Sequence, residues 1–222
     1  MSTNTKNDQF ADAISQPQSS FAFIDASNLF YGGEKSLGWK IDYQCLANVL
    51  RGSYDVTHIF YYAGIRLFGF PFNSTIKNDF PLDEYLKYLQ KKVDLKKDET
   101  LTRQLKQAKF YRKLKTFGYT LRLKPVREIQ TGKTIIFKAN CDVDLTFDAL
   151  TRIHQYKKVI FMSGDGDFLI LLKYLQTRKS RENVWIIARG ERTAREIRQL
   201  GKNRFLDLIS LKQVIMQKGE KK

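Results

Sequence analysis

The sequence predicts an α/β protein: a three-layer α/β/α sandwich around a mainly parallel central sheet. Short apolar runs at 21–24, 56–63, 158–162 and 184–188 alternate with segments of helical period. Runs such as Phe21–Ile24 are apolar throughout, as strands buried on both faces are. Asp25 and Asp165 follow two of these runs, where open parallel sheets gather ligands beyond the carboxyl ends of their strands.

The elements follow in order. Met1 to Ser20 is polar and lacks the apolar stretch of a secretory signal, so a disordered leader and cytoplasmic residence are expected. Phe21 to Ile24 is a central strand. Tyr43, Leu46, Ala47 and Leu50 recur at helical spacing, which makes 42–51 a helix. Val56 to Ala63 is a second strand, rich in β-branched and aromatic residues. Gly69 to Pro81, with two prolines and two asparagines, is a loop. Residues 82–117 form one or two helices, with Leu82, Tyr85, Leu86 and Leu89 on one face and Leu101, Leu105, Phe110 and Leu114 in a looser pattern. Tyr119–Leu123 and Thr134–Phe137 are strands, and the turn signal Gln130-Thr131-Gly132-Lys133 between them predicts a hairpin. Asp142 to Tyr156 is helix, Lys158 to Met162 strand, Asp167 to Arg178 helix, Val184 to Ala188 strand, Thr193 to Leu200 helix, and 206–217 a closing helix. One folded domain is expected over 21–210, with 64–138 as a basic helical and hairpin insertion and 211–222 as helix end and basic tail.

With 222 residues, 42% of them hydrophobic, the chain can bury a substantial core, and no apolar run approaches the roughly 18 residues of a membrane span. Its 39 Lys and Arg against 23 Asp and Glu give a net charge of +16. Such an excess points to nucleic acid, an anionic membrane or an acidic partner. No basic amphipathic anchor or lipidation motif supports the membrane, so nucleic acid leads. The two cysteines (Cys45, Cys141) and two histidines (His58, His154) form no Cys-x-x-Cys or His-x-x-x-His pair, against a structural zinc site. Cys141, beside Asp142, is either a reactive thiol or a buried neighbour of the site.

Three acidic segments carry the chemistry. In Asp165-Gly166-Asp167, between a strand and a helix, a helix cap explains one carboxylate and not two. Two in one tight turn repel unless a cation lies between them, and Gly166 would let backbone or phosphate come close. Asp25, with Asn28 three positions on, suits a ligand oriented by a neighbouring amide or a simple turn and cap. On a helical wheel Asp142 shares the side of Leu145, Ala149 and Ile153, while Asp144 and Asp148 point away, Asp148 toward Arg152 at i,i+4.

Phe23-Ile24-Asp25-Ala26-Ser27-Asn28, Cys141-Asp142-Val143-Asp144-Leu145-Thr146-Phe147-Asp148 and Met162-Ser163-Gly164-Asp165-Gly166-Asp167-Phe168 resemble the successive motifs of NYN domains. The similarity is to the LabA-like branch, within the PIN-like nuclease superfamily. The ending Phe205-Leu206-Asp207-Leu208 is similar to that family's close, so the resemblance runs from about Phe21 to Leu208. It implies a PIN-like fold and RNA cleavage at a Mg²⁺ or Mn²⁺ site, leaving 5′-phosphate and 3′-hydroxyl ends. Carried over by motif position, Asp25, Asp142, Asp165 and Asp167 hold the metal and Asn28 supports them. Asp148 also matches an acidic position of the pattern, where the wheel points the other way. The alternative is a non-catalytic RNA-binding module with a degenerate site.

From Lys87 to Lys138 cations greatly outnumber acids, Lys97 and Lys133 among them. Lys106, Lys109, Arg112, Lys113, Arg122 and Lys124 are the expected nucleic-acid contacts, with Arg189 and Arg192 as a second basic edge. Tyr111, Phe117 and Tyr119, interleaved among them, are core residues or stacking platforms. RNA is the expected partner ahead of DNA, no membrane partner is expected, and a homo-oligomer is left open. Tyr31-Gly32-Gly33-Glu34-Lys35-Ser36 lacks the spacing of a phosphate loop.

Overall fold

The computed structural model describes residues 19–73, 79–96, 98–131 and 134–217. Most of the expected leader, the centre of the 69–81 loop, Lys97, the turn residues Gly132 and Lys133, and the tail from 218 lie outside the described residues. The chain runs β1 (Ser20–Asp25), α1 (Ala26–Asn28), a π-helical turn (Leu29–Glu34), α2 (Lys35–Leu37), α3 (Tyr43–Tyr54), β2 (Val56–Ile65), α4 (Leu82–Lys96) and α5 (Glu99–Thr116). It continues through β3 (Tyr119–Pro125), β4 (Arg127–Thr131), β5 (Thr134–Lys138), α6 (Asp142–Thr151), β6 (Lys158–Met162), α7 (Leu169–Lys179), β7 (Val184–Ala188), α8 (Arg195–Gly201), β8 (Phe205–Asp207) and α9 (Lys212–Ile215).

Six strands form one sheet in the order β3-β2-β1-β6-β7-β8, and each neighbouring pair is parallel. The apolar runs explain this burial on both faces. Along β1, Ala22 and Ile24 join the core beneath α3, α4 and α5, whereas Phe21 and Phe23 join the core beneath α6, α7 and α8. In β6, Ile160 and Met162 face the first core and Val159 and Phe161 the second. The alternation is the period of a strand, with both sets apolar because helices cover both sides. The result is the expected three-layer α/β/α sandwich.

The chain builds outward from β1 to β2 and β3, then returns to β6 on the other side of β1 and builds outward again. The direction of winding therefore reverses between β1 and β6. That switch point leaves a crevice at the carboxyl ends of the two strands.

Three expectations need correction. The predicted turn near 130–133 joins β4 to β5 in a separate antiparallel pair, with Ile129 opposite Ile136. Tyr119–Leu123 is not part of that hairpin: it belongs to β3, which pairs with β2 and buries Tyr119 against Ile59. The segment 82–117, expected as one or two helices, agrees: it is two, because the Asp98 carboxylate accepts from the Thr100 and Leu101 amides at 2.7 and 3.0 Å and starts a new helix. The closing helix is instead the edge strand β8, a 3₁₀ turn over Leu208–Leu211 and the short α9. Asp207 sets that break by accepting the Ile209 amide at 3.1 Å. The helix expected to Tyr156 also ends early, at Thr151, followed by a 3₁₀ turn at Ile153–Gln155.

Candidate active site

Two carboxylate segments meet at the switch point. Asp25, 6% exposed at the end of β1, caps α1. Its Oδ1 accepts from the Ser27 amide at 3.0 Å, the Ser27 hydroxyl at 2.7 Å and the Asn28 amide at 3.2 Å. Its Oδ2 accepts from the buried Ser163 hydroxyl, just beyond β6, at 3.0 Å. Asn28 makes a second tie: its Oδ1 accepts the Gly164 amide at 3.0 Å. Asn28 thus joins the β1 turn to the β6 turn, a positioning role.

The β6 turn is held as tightly. The Ser163 oxygen accepts the Asp165 amide at 3.3 Å, and the Asp165 carboxylate accepts the Asp167 amide at 3.1 Å. Asp165 is thus the expected cap, while both acidic side chains remain exposed. The tight glycine is Gly164 and not Gly166. A Cβ on Gly164 would lie 2.4 Å from Thr193 Oγ1 and 2.9 Å from Thr193 Cα, whereas one on Gly166 would meet Ala194 Cβ at 3.4 Å. The Gly164 carbonyl also accepts the Ala194 amide at 2.9 Å, locking the turn to the segment before α8.

Asp142 begins α6 and completes the cluster. Its carboxyl is raised above the ordinary range by burial first, then by the charges of Asp25, Asp165 and Asp167, with Lys138 opposing. Asp142 is thus near enough to the other three carboxylates to feel their charge. Among the described residues, no three acidic, His or Cys side chains already stand in ligating positions around a common point. The donor set is oxygen only, which fits a hard divalent cation. Exposed Asp165 and Asp167 are free to turn toward one without disturbing the core.

Asp148 lies elsewhere. The wheel had turned it outward, but it is buried, one turn from Leu145. Its Oδ2 accepts from the Tyr62 hydroxyl at 2.9 Å and Arg122 Nε at 2.8 Å, and its Oδ1 from Arg152 Nε at 3.3 Å. Both guanidiniums also lie over the Phe60 ring, at 5.8 and 5.1 Å. The carboxylate is saturated by internal partners, an arrangement that anchors α6 to the sheet. Asp144 is not simply solvated: it pairs with Lys124 at 2.7 Å.

The expected cationic contacts divide accordingly. Lys106, Lys109, Arg112 and Lys113 are exposed on α5, and Arg192 is exposed beside the π-helical turn, near Gly32. Arg122 and Lys124 serve the internal pairs just described. Arg189 is 12% exposed and bridges Asp207 at 3.0 Å and Glu191 at 2.6 Å. Burial and nearby Asp144 push the Cys141 thiol up to about 12, which favours the protonated thiol. Sequence reasoning missed Ser163 and Gly164 as structural members of the site, although both stand inside the quoted motif.

A curated relative, "Low amplitude and bright protein LabA" of Synechococcus elongatus, is 24% identical over 198 residues, 87% of this chain and 85% of that protein. The crystal structure of a protein of unknown function from Vibrio parahaemolyticus superposes with a TM-score of 0.59 at 20% identity, covering 91% of this chain and 99% of that one, which supports the fold. A bacteriophage T5 flap endonuclease, solved with DNA and metal ions, gives a TM-score of 0.43 at 16% identity over 83% of this chain and 60% of its own, too loose a match to carry function across. The NYN domain profile matches residues 21–209, and the chain belongs to the NYN domain family.

Proposed function

We propose that this protein is a metal-dependent ribonuclease whose site is built from Asp25, Asp142, Asp165 and Asp167. The observation that carries the reading is geometric: the Ser163 hydroxyl on Asp25 and the Gly164 amide on Asn28 join the β1 and β6 turns, and with them Asp25 and Asp165, at the switch point of a chain with net charge +16. Such a cluster calls for a compensating cation, and the basic surface calls for a polyanion. Mg²⁺ or Mn²⁺ held there would acidify a bound water and offset charge on the scissile phosphate, giving 5′-phosphate and 3′-hydroxyl products. Ser163 and Ser27 hold the Asp25 carboxylate in one orientation. Asn28 keeps the β6 turn, and with it Asp165, at a fixed distance from β1. Lys106, Lys109, Arg112, Lys113 and Arg192 supply exposed charge for the substrate backbone.

One observation favours a second reading, an RNA-binding module without cleavage: no three carboxylates among the described residues already stand in ligating positions. A single experiment decides. Labelled single-stranded RNA, structured RNA and single-stranded DNA are incubated with Mg²⁺ or Mn²⁺, with EDTA and Asp165→Ala as controls. Metal-dependent RNA cutting that disappears in both controls is expected. Salt-sensitive binding without cutting on any substrate would replace the nuclease by the binding module.

A further inference from the structure

Five of the twelve large hydrophobic side chains that stand exposed among the described residues belong to two helices. Val143, Phe147 and Leu150 are on α6 and Ile170 and Tyr174 on α7, between 37% and 81% exposed. At about 100° per residue, the three on α6 share an arc of about 60° and the two on α7 lie about 40° apart. Each set is therefore a stripe along one side of its helix.

The two stripes adjoin. α6 covers β1 and α7 covers β7, with β6 between them. Both helices start at the switch point and end beside Tyr156, whose hydroxyl donates to the Ala149 carbonyl at 2.7 Å and whose ring has the Lys179 ammonium 5.2 Å away. Their outer flanks are occupied: Asp144 and Asp148 turn to Lys124 and Arg122 of β3, and Gln176 turns to the Leu200 carbonyl of α8 at 3.3 Å. The stripes hold the side that is left, along the seam between the helices. At roughly 150–250 Å² for a large side chain, the five leave about 500 Å² of apolar surface uncovered. A patch of that size is at the upper end of what a monomer carries.

Charge points to the occupant. The chain carries +16, so two copies repel across most of their surface. Its exposed acids Asp165 and Asp167 lie at one end of this patch, just before α7, and Arg178 lies at the other. Arg178 stacks on Tyr174, its Cζ 5.3 Å from the ring, and pairs with no carboxylate among the described residues. Tyr174 is midway between Ile170 and Arg178, and Phe147 is near the middle of the Val143 to Leu150 stripe. A patch with opposite charges at its ends and its rings at the centre is complementary to itself under a two-fold rotation. We propose that this face is the contact between two copies of the chain, with α7 antiparallel to its counterpart. The rings of Phe147 and Tyr174 then pack near the axis, and Arg178 of the partner subunit comes beside Asp167. Two such patches bury about 1,000 Å², the least that a specific interface needs, before the polar rim is added. The contact stands whether or not the carboxylates cut RNA.

Sedimentation velocity of the nucleic-acid-free full chain, from about 1 to 100 µM, tests this. A species of twice 26.0 kDa that grows with concentration is expected. Phe147→Glu and Ile170→Glu should each weaken it at least about tenfold, whereas Leu95→Glu, at a similarly exposed site on α4, should not. Arg178→Asp should weaken it, and adding Asp167→Arg should restore it to within about threefold, because the swap re-forms the pair across the axis. Thermal melting is the fold control: the wild-type midpoint should rise with concentration, and the variants should keep the wild type's dilute midpoint without that rise. A wild type that stays monomeric at about 100 µM overturns the proposal and leaves the patch to a different protein. A dimer indifferent to Phe147→Glu and Ile170→Glu overturns it too, by placing the contact elsewhere. A dimer weakened by both but not restored by the charge swap refutes the antiparallel arrangement.

Discussion

Replacing Asp148 by alanine separates anchoring from chemistry. The carboxylate is 9% exposed and takes three charged or phenolic donors, at 2.8, 2.9 and 3.3 Å. Hydrogen bonds to charged groups contribute about 1.5–3 kcal/mol each, and breaking a buried pair costs about 3–5 kcal/mol. The Arg122 and Arg152 side chains keep 27% and 30% of their exposure, and Arg122 retains Asp79 at 3.4 Å, so water and that second partner recover part of the loss. The lower end, about 3 kcal/mol, is therefore expected for Asp148→Ala, and less for Asp148→Asn, which keeps one acceptor. At about 2–4 °C per kcal/mol for a chain of this size, the alanine variant melts about 6–12 °C lower. Thermal and urea unfolding measure this; RNA binding and cleavage are then compared well below the midpoint, per folded molecule, where Asp148→Asn should match the wild type. An Asp148→Asn protein with the wild-type midpoint and no activity would refute the reasoning and put Asp148 into the chemistry.

Gly164→Ala forces a Cβ to within 2.4 Å of Thr193 Oγ1; it should destabilise by about 1–3 kcal/mol in urea and lower activity along with the Asn28 tie, whereas Gly166→Ala should be mild. Because the folded Asp142 carboxyl is raised, its contribution to stability is present below the ordinary carboxylate range and lost as pH rises through the raised value. In EDTA the wild type should therefore lose stability relative to Asp142→Asn across that window, and saturating Mn²⁺ at neutral pH should reverse the order; a flat difference between the two unfolding profiles would contradict it. Lys106→Ala and Lys113→Ala should each reduce the slope of log affinity for RNA against log salt by about 1, while Arg189→Ala, whose charge is spent on Asp207 and Glu191, should leave that slope unchanged and lower stability instead.

Much of this architecture was legible because burial on both faces leaves a plain trace. Phe21–Ile24 and Val159–Met162 read as central strands, and Asp25 and Asp165 at their ends follow from the rule for open sheets. Partner choice was less legible. Tyr119–Leu123 is a good strand by composition, but only the sheet decides that it pairs with Ile59–Ala63 and not with its neighbour in sequence. Asp148 was misplaced because the wheel treats a carboxylate as polar: it gave the Arg152 pair, but not the Tyr62 phenol of β2 and the Arg122 guanidinium of β3 that make Asp148 a core residue. The same blindness to partners gave Arg122 and Arg189 to the substrate.

The ties between Asp25 and Ser163, and between Asn28 and Gly164, span 138 and 136 positions of the chain. Pairing across such separations is slow to form, and during synthesis it waits for the later segment to leave the ribosome. A nascent chain that has made only β1 to β5 holds Asp25 and Asn28 without the turn that fixes them. The site is therefore assembled only after β6 and its turn have emerged, and until then Asp25 and Asn28 lack the partners that hold them.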